Sequence, residues 1–84
     1  MFIRTKDDRI INADKVIYFE IIASLNTDGA QIDANLAGNK TFKIFDGPAA
    51  VAKTIFCKLA DALSDGTKTM FDIKYYQEGA DVND

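Results

Sequence analysis

Residues 16–25 alternate along the chain between a wholly apolar set and a mixed set. The odd-numbered positions are all apolar: Ile17, Phe19, Ile21, Ala23 and Leu25. The even-numbered positions combine apolar residues with Glu20 and Ser24. A period of two in a run rich in β-branched and aromatic residues is typical of a strand. We therefore expect a central β-strand with one core face and one partly exposed face.

Shorter stretches on both sides of this run predict an antiparallel meander. Residues 1–6 and 9–12 read as two strands joined by a turn at Asp7-Asp8. The polar loop at residues 26–29 ends in glycine and leads into an alternating strand at 30–36. A strand at 41–45 follows, with Phe42 and Ile44 inward and Phe45 outward.

The apolar pattern also predicts a register. Pairing Leu25 with Ala30 brings Phe19 opposite Leu36, so every apolar pair lies on one face. A three-residue turn at 38–40 then places Leu36 opposite Phe42.

The period changes to that of a helix after Asp46-Gly47-Pro48. Proline suits a first helical turn, and the following residues favour a helix at about 48–64 that ends before Gly66. Its apolar positions gather on one face: Val51, Ala52, Ile55, Phe56, Leu59, Ala62 and Leu63. A last strand is expected at 69–77. The fold class is therefore α+β, an antiparallel meander of about five strands with one helix packed on one face.

Length and composition favour a single intracellular domain. The 84 residues suffice for one modest core, assigned to residues 1–77, with a disordered tail at 78–84. Charges follow Phe2-Ile3 at once, which argues against a secretory leader, and no stretch approaches the roughly 20 apolar residues of a membrane span. A single cysteine, Cys57, suits the reducing cytoplasm.

The charge balance disfavours nucleic acid as the main partner. The net charge is −3, whereas nucleic-acid binding normally needs a basic surface. One local patch remains as an alternative, formed by Arg4, Lys6, Arg9 and Lys15. A small nucleic-acid-associated regulator that uses this patch is the second hypothesis.

The chain lacks most of the usual residues of catalysis and metal binding. It contains no histidine and no glycine-rich phosphate loop, so we expect no enzyme activity, no cofactor and no metal. Glu20, Asp33 and Asn35 on the outer sheet face could hold a hard cation or serve as an acid and base pair, although a solvated polar face is the simpler interpretation. Tyr75-Tyr76, with Lys74, could stack bases or anchor a partner, but tyrosines are also ordinary strand residues.

The outer sheet face is the main functional clue. It is predicted to carry four neighbouring apolar residues: Val16, Tyr18, Ile22 and Phe45. Such a patch is buried against something, either the first hairpin, a protein partner or a second copy of the chain. The first hypothesis is therefore a non-enzymatic interaction module that self-associates as a homo-oligomer or binds another protein.

The opening of the chain resembles known sequences. Residues 1–12, followed by Val-Ile-Tyr-Phe-Glu at 16–20, are similar to the start of small uncharacterised bacterial proteins. That resemblance implies a β-meander with one helix and brings no catalytic motif. The same Ile-x-Tyr-x-Glu rhythm is more weakly similar to the early strands of LytTR-type DNA-binding domains, but the later basic, histidine-containing segment of that family is missing here.

Overall fold

The computed structural model describes residues 1–76, which form six strands and one main helix. In chain order they are β1 (Phe2–Arg4), β2 (Ile10–Asn12), β3 (Val16–Ala23), β4 (Gly29–Leu36), β5 (Lys40–Pro48), α1 (Ala49–Ser64) and β6 (Met70–Asp72). A short 3-10 helix, Ala13–Lys15, joins β2 to β3. The predicted α+β class, with an antiparallel meander and one helix, is confirmed, and the structure has six strands where about five were predicted.

The strands divide into two three-stranded sheets. The meander sheet has the order β3-β4-β5 and is antiparallel throughout. The terminal sheet has the order β2-β1-β6, in which β1 pairs antiparallel with β2 and parallel with β6. The sequence pattern did not indicate which edge the last strand joins, and the structure places it beside the first strand.

The last strand is shorter than predicted because Asp72 starts a helical turn. Its Oδ1 atom accepts hydrogen bonds from the backbone N–H groups of Lys74 at 3.0 Å and Tyr75 at 3.4 Å. This is the geometry of a helix N-cap, and residues 73–76 are helical. The predicted strand at 69–77 is therefore wrong beyond Asp72. Its last residue and the predicted tail at 78–84 lie outside the described residues.

The core forms where α1 meets the inner faces of the sheets. The buried helix residues are Ala52, Ile55, Leu59 and Ala62, four of the seven predicted for the apolar face. From the strands, Ile32 and Ala34 of β4 and Ile3 of β1 are fully enclosed. Leu63 is exposed instead of buried. No helix within residues 1–76 has both the length and the apolarity to cross a membrane.

The register of the first meander hairpin differs by two residues from the predicted one. Ala23 lies opposite Ala30 and Phe19 opposite Ala34. A shift of two keeps every side chain on its predicted face, because side chains alternate with a period of two. It also shortens β3, so that Leu25 lies exposed in the loop.

One glycine is required by the packing of a core aromatic ring. A Cβ atom added at Gly47 would lie 2.9 Å from Cζ of Phe45, which is buried. The ring of Phe45 thus packs directly over the backbone of Gly47, and a larger residue there must displace it.

We expect Gly47→Ala to destabilise the fold by about 1 to 3 kcal/mol, because the methyl group overpacks the core beside Phe45. The free energy of unfolding, measured by urea titration, checks this. Gly66→Ala is the matched control, since an added Cβ at Gly66 meets no atom within 4 Å. Equal stability of the two variants would show that the ring does not lie over Gly47.

Candidate functional site

The strand that the sequence predicts as central is an edge strand. β3 pairs only with β4, and no other strand among residues 1–76 lies along its second side. None of its eight residues is fully buried. The apolar pattern identified the two faces of this strand correctly, but a face pattern carries no information about how many neighbours a strand has.

The hydrogen-bond pattern shows which backbone groups of β3 face this free edge. The N–H of Ser24 donates to the carbonyl of Gly29 at 2.9 Å, which continues the ladder between β3 and β4. In an antiparallel ladder every second residue bonds to the neighbouring strand. The even-numbered residues from 18 to 24 therefore bond to β4. Phe19, Ile21 and Ala23 direct their N–H and C=O groups outward.

The free edge has few of the features that prevent strand pairing. Natural edge strands are commonly short or carry lysine, proline or several charges. β3 contains no lysine or proline, and Glu20 is its one charged residue. A bulge at Ile17 interrupts the ladder between β3 and β4 only at the start of β3. The edge strands β2 and β6 of the terminal sheet, in contrast, have three residues each.

Large apolar side chains lie beside this edge. Ile17 is 67% exposed, Tyr18 54% and Ile22 41%. Tyr18 and Ile22 project from the outer face of the meander sheet, the face opposite α1, with Glu20 between them. We call this surface the β3 edge site. It consists of the side chains of Ile17, Tyr18 and Ile22 and the outward backbone groups of Phe19, Ile21 and Ala23.

Two bulges remove half of the predicted apolar patch from the outer face. Tyr18 and Ile22 lie there as predicted, but Val16 and Phe45 do not. The bulge at Ile17 places Val16 opposite Leu36, on the inner face, where it packs against the core. The predicted exposure of Val16 on the outer face is therefore wrong.

Phe45 is displaced from the outer face for the same reason. Lys43 lies opposite Asp33, but Phe45 lies opposite Ile32, so Ile44 is an extra residue in β5. A bulge of one residue reverses the parity of the side chains that follow it. Phe45 therefore enters the core, with 2% of its surface exposed, and its predicted place in an outer patch is wrong.

The middle of the outer face is a row of polar side chains that bond to one another. Asn35 Nδ2 donates to Glu20 Oε1 at 3.2 Å, and Thr41 Oγ1 donates to Asn35 Oδ1 at 2.9 Å. Gln31 Nε2 donates to Asp33 Oδ1 at 3.0 Å, and Asp33 is 6% exposed. Glu20 lies opposite Asp33, whereas the predicted register, which pairs Phe19 with Leu36, would place it opposite Asn35. Within residues 1–76, no three His, Cys, Asp or Glu side chains are placed to hold a metal ion.

Three of the four residues in the predicted basic patch form ion pairs with aspartates. Arg4 pairs with Asp72 across the terminal sheet, Lys6 Nζ lies 2.8 Å from Asp46 Oδ1, and Arg9 Nε lies 3.4 Å from Asp7 Oδ2. Lys15 ends the 3-10 helix and is exposed. The aspartates offset most of the positive charge that the sequence placed in this region.

Asp46 of β5 links the two sheets through its bond to Lys6, which follows β1. It accepts from Lys43 Nζ at 2.9 Å and from Lys6 Nζ at 2.8 Å, while the N–H of Lys6 donates to the carbonyl of Ile44 at 3.2 Å. The hydrogen bond from Lys43, followed by that from Lys6, lowers the pKa of Asp46 from 3.8 to about 2. The segment just after β1 is thus held against β5 by a backbone hydrogen bond and a side-chain ion pair together.

The other candidate residues from the sequence, Cys57 and the two tyrosines, lie outside the β3 edge site. Cys57 is exposed on α1, as its position on the helix predicts. Tyr76 stacks on Phe71 with ring centroids 5.1 Å apart, and Tyr75 packs edge-on against Tyr76. Lys74 pairs with Asp8 at 3.0 Å. This aromatic cluster adjoins a groove between α1 and β6, whose lining mixes both charges with apolar groups.

Comparisons with known proteins give no indication of the function of this chain. No family model matches the chain, and neither a curated protein nor a solved structure is similar enough to count as a match.

We expect Asp46→Asn to cost about 0.5 to 1 kcal/mol of stability at pH 7, because the ion pairs of this half-exposed carboxylate are screened by solvent. The folded pKa lies below the ordinary value, so the stabilisation is present above about pH 4. It disappears as the pH falls towards 2, where Asp46 becomes protonated.

Urea unfolding of the variant and of the unaltered protein at pH 7, 4 and 2 measures this difference. Asp28→Asn is the control, because the Asp28 side chain lies exposed in a loop and forms no ion pair within residues 1–76. A stability difference for Asp46→Asn that persists unchanged at pH 2 would contradict the assignment.

Proposed function

We propose that this protein is a non-enzymatic protein-interaction module that binds an extended segment of a polypeptide chain along the β3 edge site. The observation that carries the proposal is the free side of β3, eight residues long, where Phe19, Ile21 and Ala23 present backbone donors and acceptors. Adding a strand to an exposed sheet edge is a recurring mode of protein recognition, in which the main chain supplies affinity.

The side chains beside the edge support the same proposal. Ile17, Tyr18 and Ile22 are exposed, and aromatic and apolar residues of this kind are enriched in the centres of protein interfaces. A strand bound to β3 would cover part of each of them. The partner therefore has an extended segment with apolar side chains, and the protein acts by holding it.

The polar groups of the outer face support a binding role over a catalytic one. Glu20 and Asp33 bond to the amide groups of Asn35 and Gln31 respectively. With no histidine in the sequence, a base of the commonest type is missing. We place the protein in the cytoplasm, because the exposed free thiol of Cys57 suits a reducing compartment.

The alternative function, a nucleic-acid-associated regulator, has less support. Arg4, Lys6 and Arg9 of the predicted basic patch are engaged by Asp72, Asp46 and Asp7. Phosphate binding would have to displace these carboxylates. The two functions differ in salt dependence, since phosphate contacts weaken steeply as salt rises and apolar strand addition persists.

We expect Ala23→Pro to abolish partner binding without unfolding the protein. Proline removes an outward N–H and leaves the ladder between β3 and β4 intact, which edge strands tolerate. The measurement is affinity capture from native extract at 1 M salt, with the bound proteins identified by mass spectrometry. Ala23→Ser, which keeps the N–H, is the matched control.

The proposal requires a partner, or the protein itself, that is held by the unaltered chain and by Ala23→Ser and is lost from Ala23→Pro. Capture that is equal in all three, or that vanishes at high salt, would contradict binding at this edge.

A further inference from the structure

We propose that the strand bound at the β3 edge site is β3 of a second copy of this chain, paired antiparallel about a two-fold axis through Ile21. The two meander sheets then form one continuous sheet of six strands. This inference rests on the proposed function and names the partner of the same site. It follows from how the sequence of β3 complements itself.

The backbone selects the axis. A two-fold axis through residue 21 places Phe19 opposite Ala23 of the second copy, Ile21 opposite its counterpart and Ala23 opposite Phe19. Each of the three outward-facing residues then meets another outward-facing residue, so all three can exchange hydrogen bonds. An axis through Glu20 would use Phe19 and Ile21 but would place Ala23 against Ile17, where the bulge interrupts the ladder.

The side chains select the same axis. On the core side, the large ring of Phe19 meets the small Ala23, and Ile21 meets Ile21, so the pairs are apolar and fit by size. On the outer side, Glu20 meets Ile22 and the two Glu20 carboxylates stay apart. An axis through Glu20 would place these carboxylates directly opposite each other, which is destabilising.

The geometry also fixes the form of the assembly. The axis is perpendicular to the joined sheet, so both copies of α1 lie on the same face and the half-buried Phe19 and Ile21 gain cover from the second copy. The pairing uses the same edge on both chains, which closes the assembly at two. A single strand pair is a small interface, below about 1,200 Å² in total, so we expect a dimer that dissociates at micromolar concentration.

The first test uses purified protein alone, over a concentration series, at low and at 1 M salt. Sedimentation equilibrium gives the dimer affinity, and NMR-detected amide exchange reports on each N–H. We expect the amides of Phe19, Ile21 and Ala23 to exchange fast in the monomer and to become protected as the dimer forms. The amides of Tyr18, Glu20 and Ile22, bonded to β4, should stay protected throughout.

The variants used for partner capture sharpen this test. Ala23→Pro removes two symmetry-related hydrogen bonds, so we expect dimerisation to weaken about 30-fold or more. Ala23→Ser should dimerise like the unaltered protein. Circular dichroism and urea unfolding confirm that both variants are folded.

The register is tested by disulfide formation between single cysteines in a Cys57→Ser background. With the axis at Ile21, the paired Cα atoms of an Ile21→Cys dimer lie about 5.5 Å apart, within disulfide range. Cysteines introduced instead at Glu20 or Ile22 are offset along the strands by two residues, which places their Cα atoms beyond about 7 Å. Efficient cross-linking only for Ile21→Cys is the expected result.

Three outcomes would overturn the inference. The first is a monomer at all concentrations whose edge amides exchange fast. If partner capture still depends on Ala23 in that case, the proposed function stands and the partner is a different protein. The second is a monomer with protected edge amides, which would mean that the chain covers its own edge, and both proposals fail. The third is cross-linking strongest at Glu20→Cys or Ile22→Cys, which would show a different register.

Discussion

A single helix packs on the apolar face of the meander sheet, and the rest of the structure depends on how much of that face the helix can cover. α1 has sixteen residues, so it is about 24 Å long and about 10 Å wide. Three strands that each occupy about 4.8 Å make a sheet about 14 Å wide, which is more than the width of the helix. The helix packs mainly on β4 and β5, with less contact to β3. Within residues 1–76, β3 is therefore only partly covered, and one of its edges and several of its apolar side chains are left exposed.

The sequence pattern was sufficient to predict most elements of the fold, although not the end of the last strand, and insufficient to predict which strands pair with which. The period of two in β3 and β4 and the period of 3.6 in α1 identified each buried face, because each of these faces is apolar. The number of sheets and the parallel pairing of β1 with β6 depend on contacts between distant parts of the chain. Nothing in the local composition of Met70–Asp72 indicates a preference for β1 over another edge.

The candidate site was predicted only in part, and the β-bulges explain the error. A strict alternation places Val16 and Phe45 on the face of Tyr18 and Ile22. One extra residue, Ile17 in β3 and Ile44 in β5, reverses the alternation, which moves Phe45 into the core and Val16 to the inner face against the core. The adjacent Ile44 and Phe45 in β5 were the available signal, because both side chains are buried at that bulge and strict alternation would expose one of them.

The position of β1 in the terminal sheet determines when that sheet can form during synthesis of the chain. β1 is the middle strand of the terminal sheet, and one of its two neighbours, β6, is the last strand described. During synthesis, the meander and the helix are made while β1 has only β2 beside it. In a nascent or truncated chain that stops before Met70, β1, which contains Ile3, therefore has no strand on one of its two sides. Only a chain that extends to Asp72 can complete the terminal sheet.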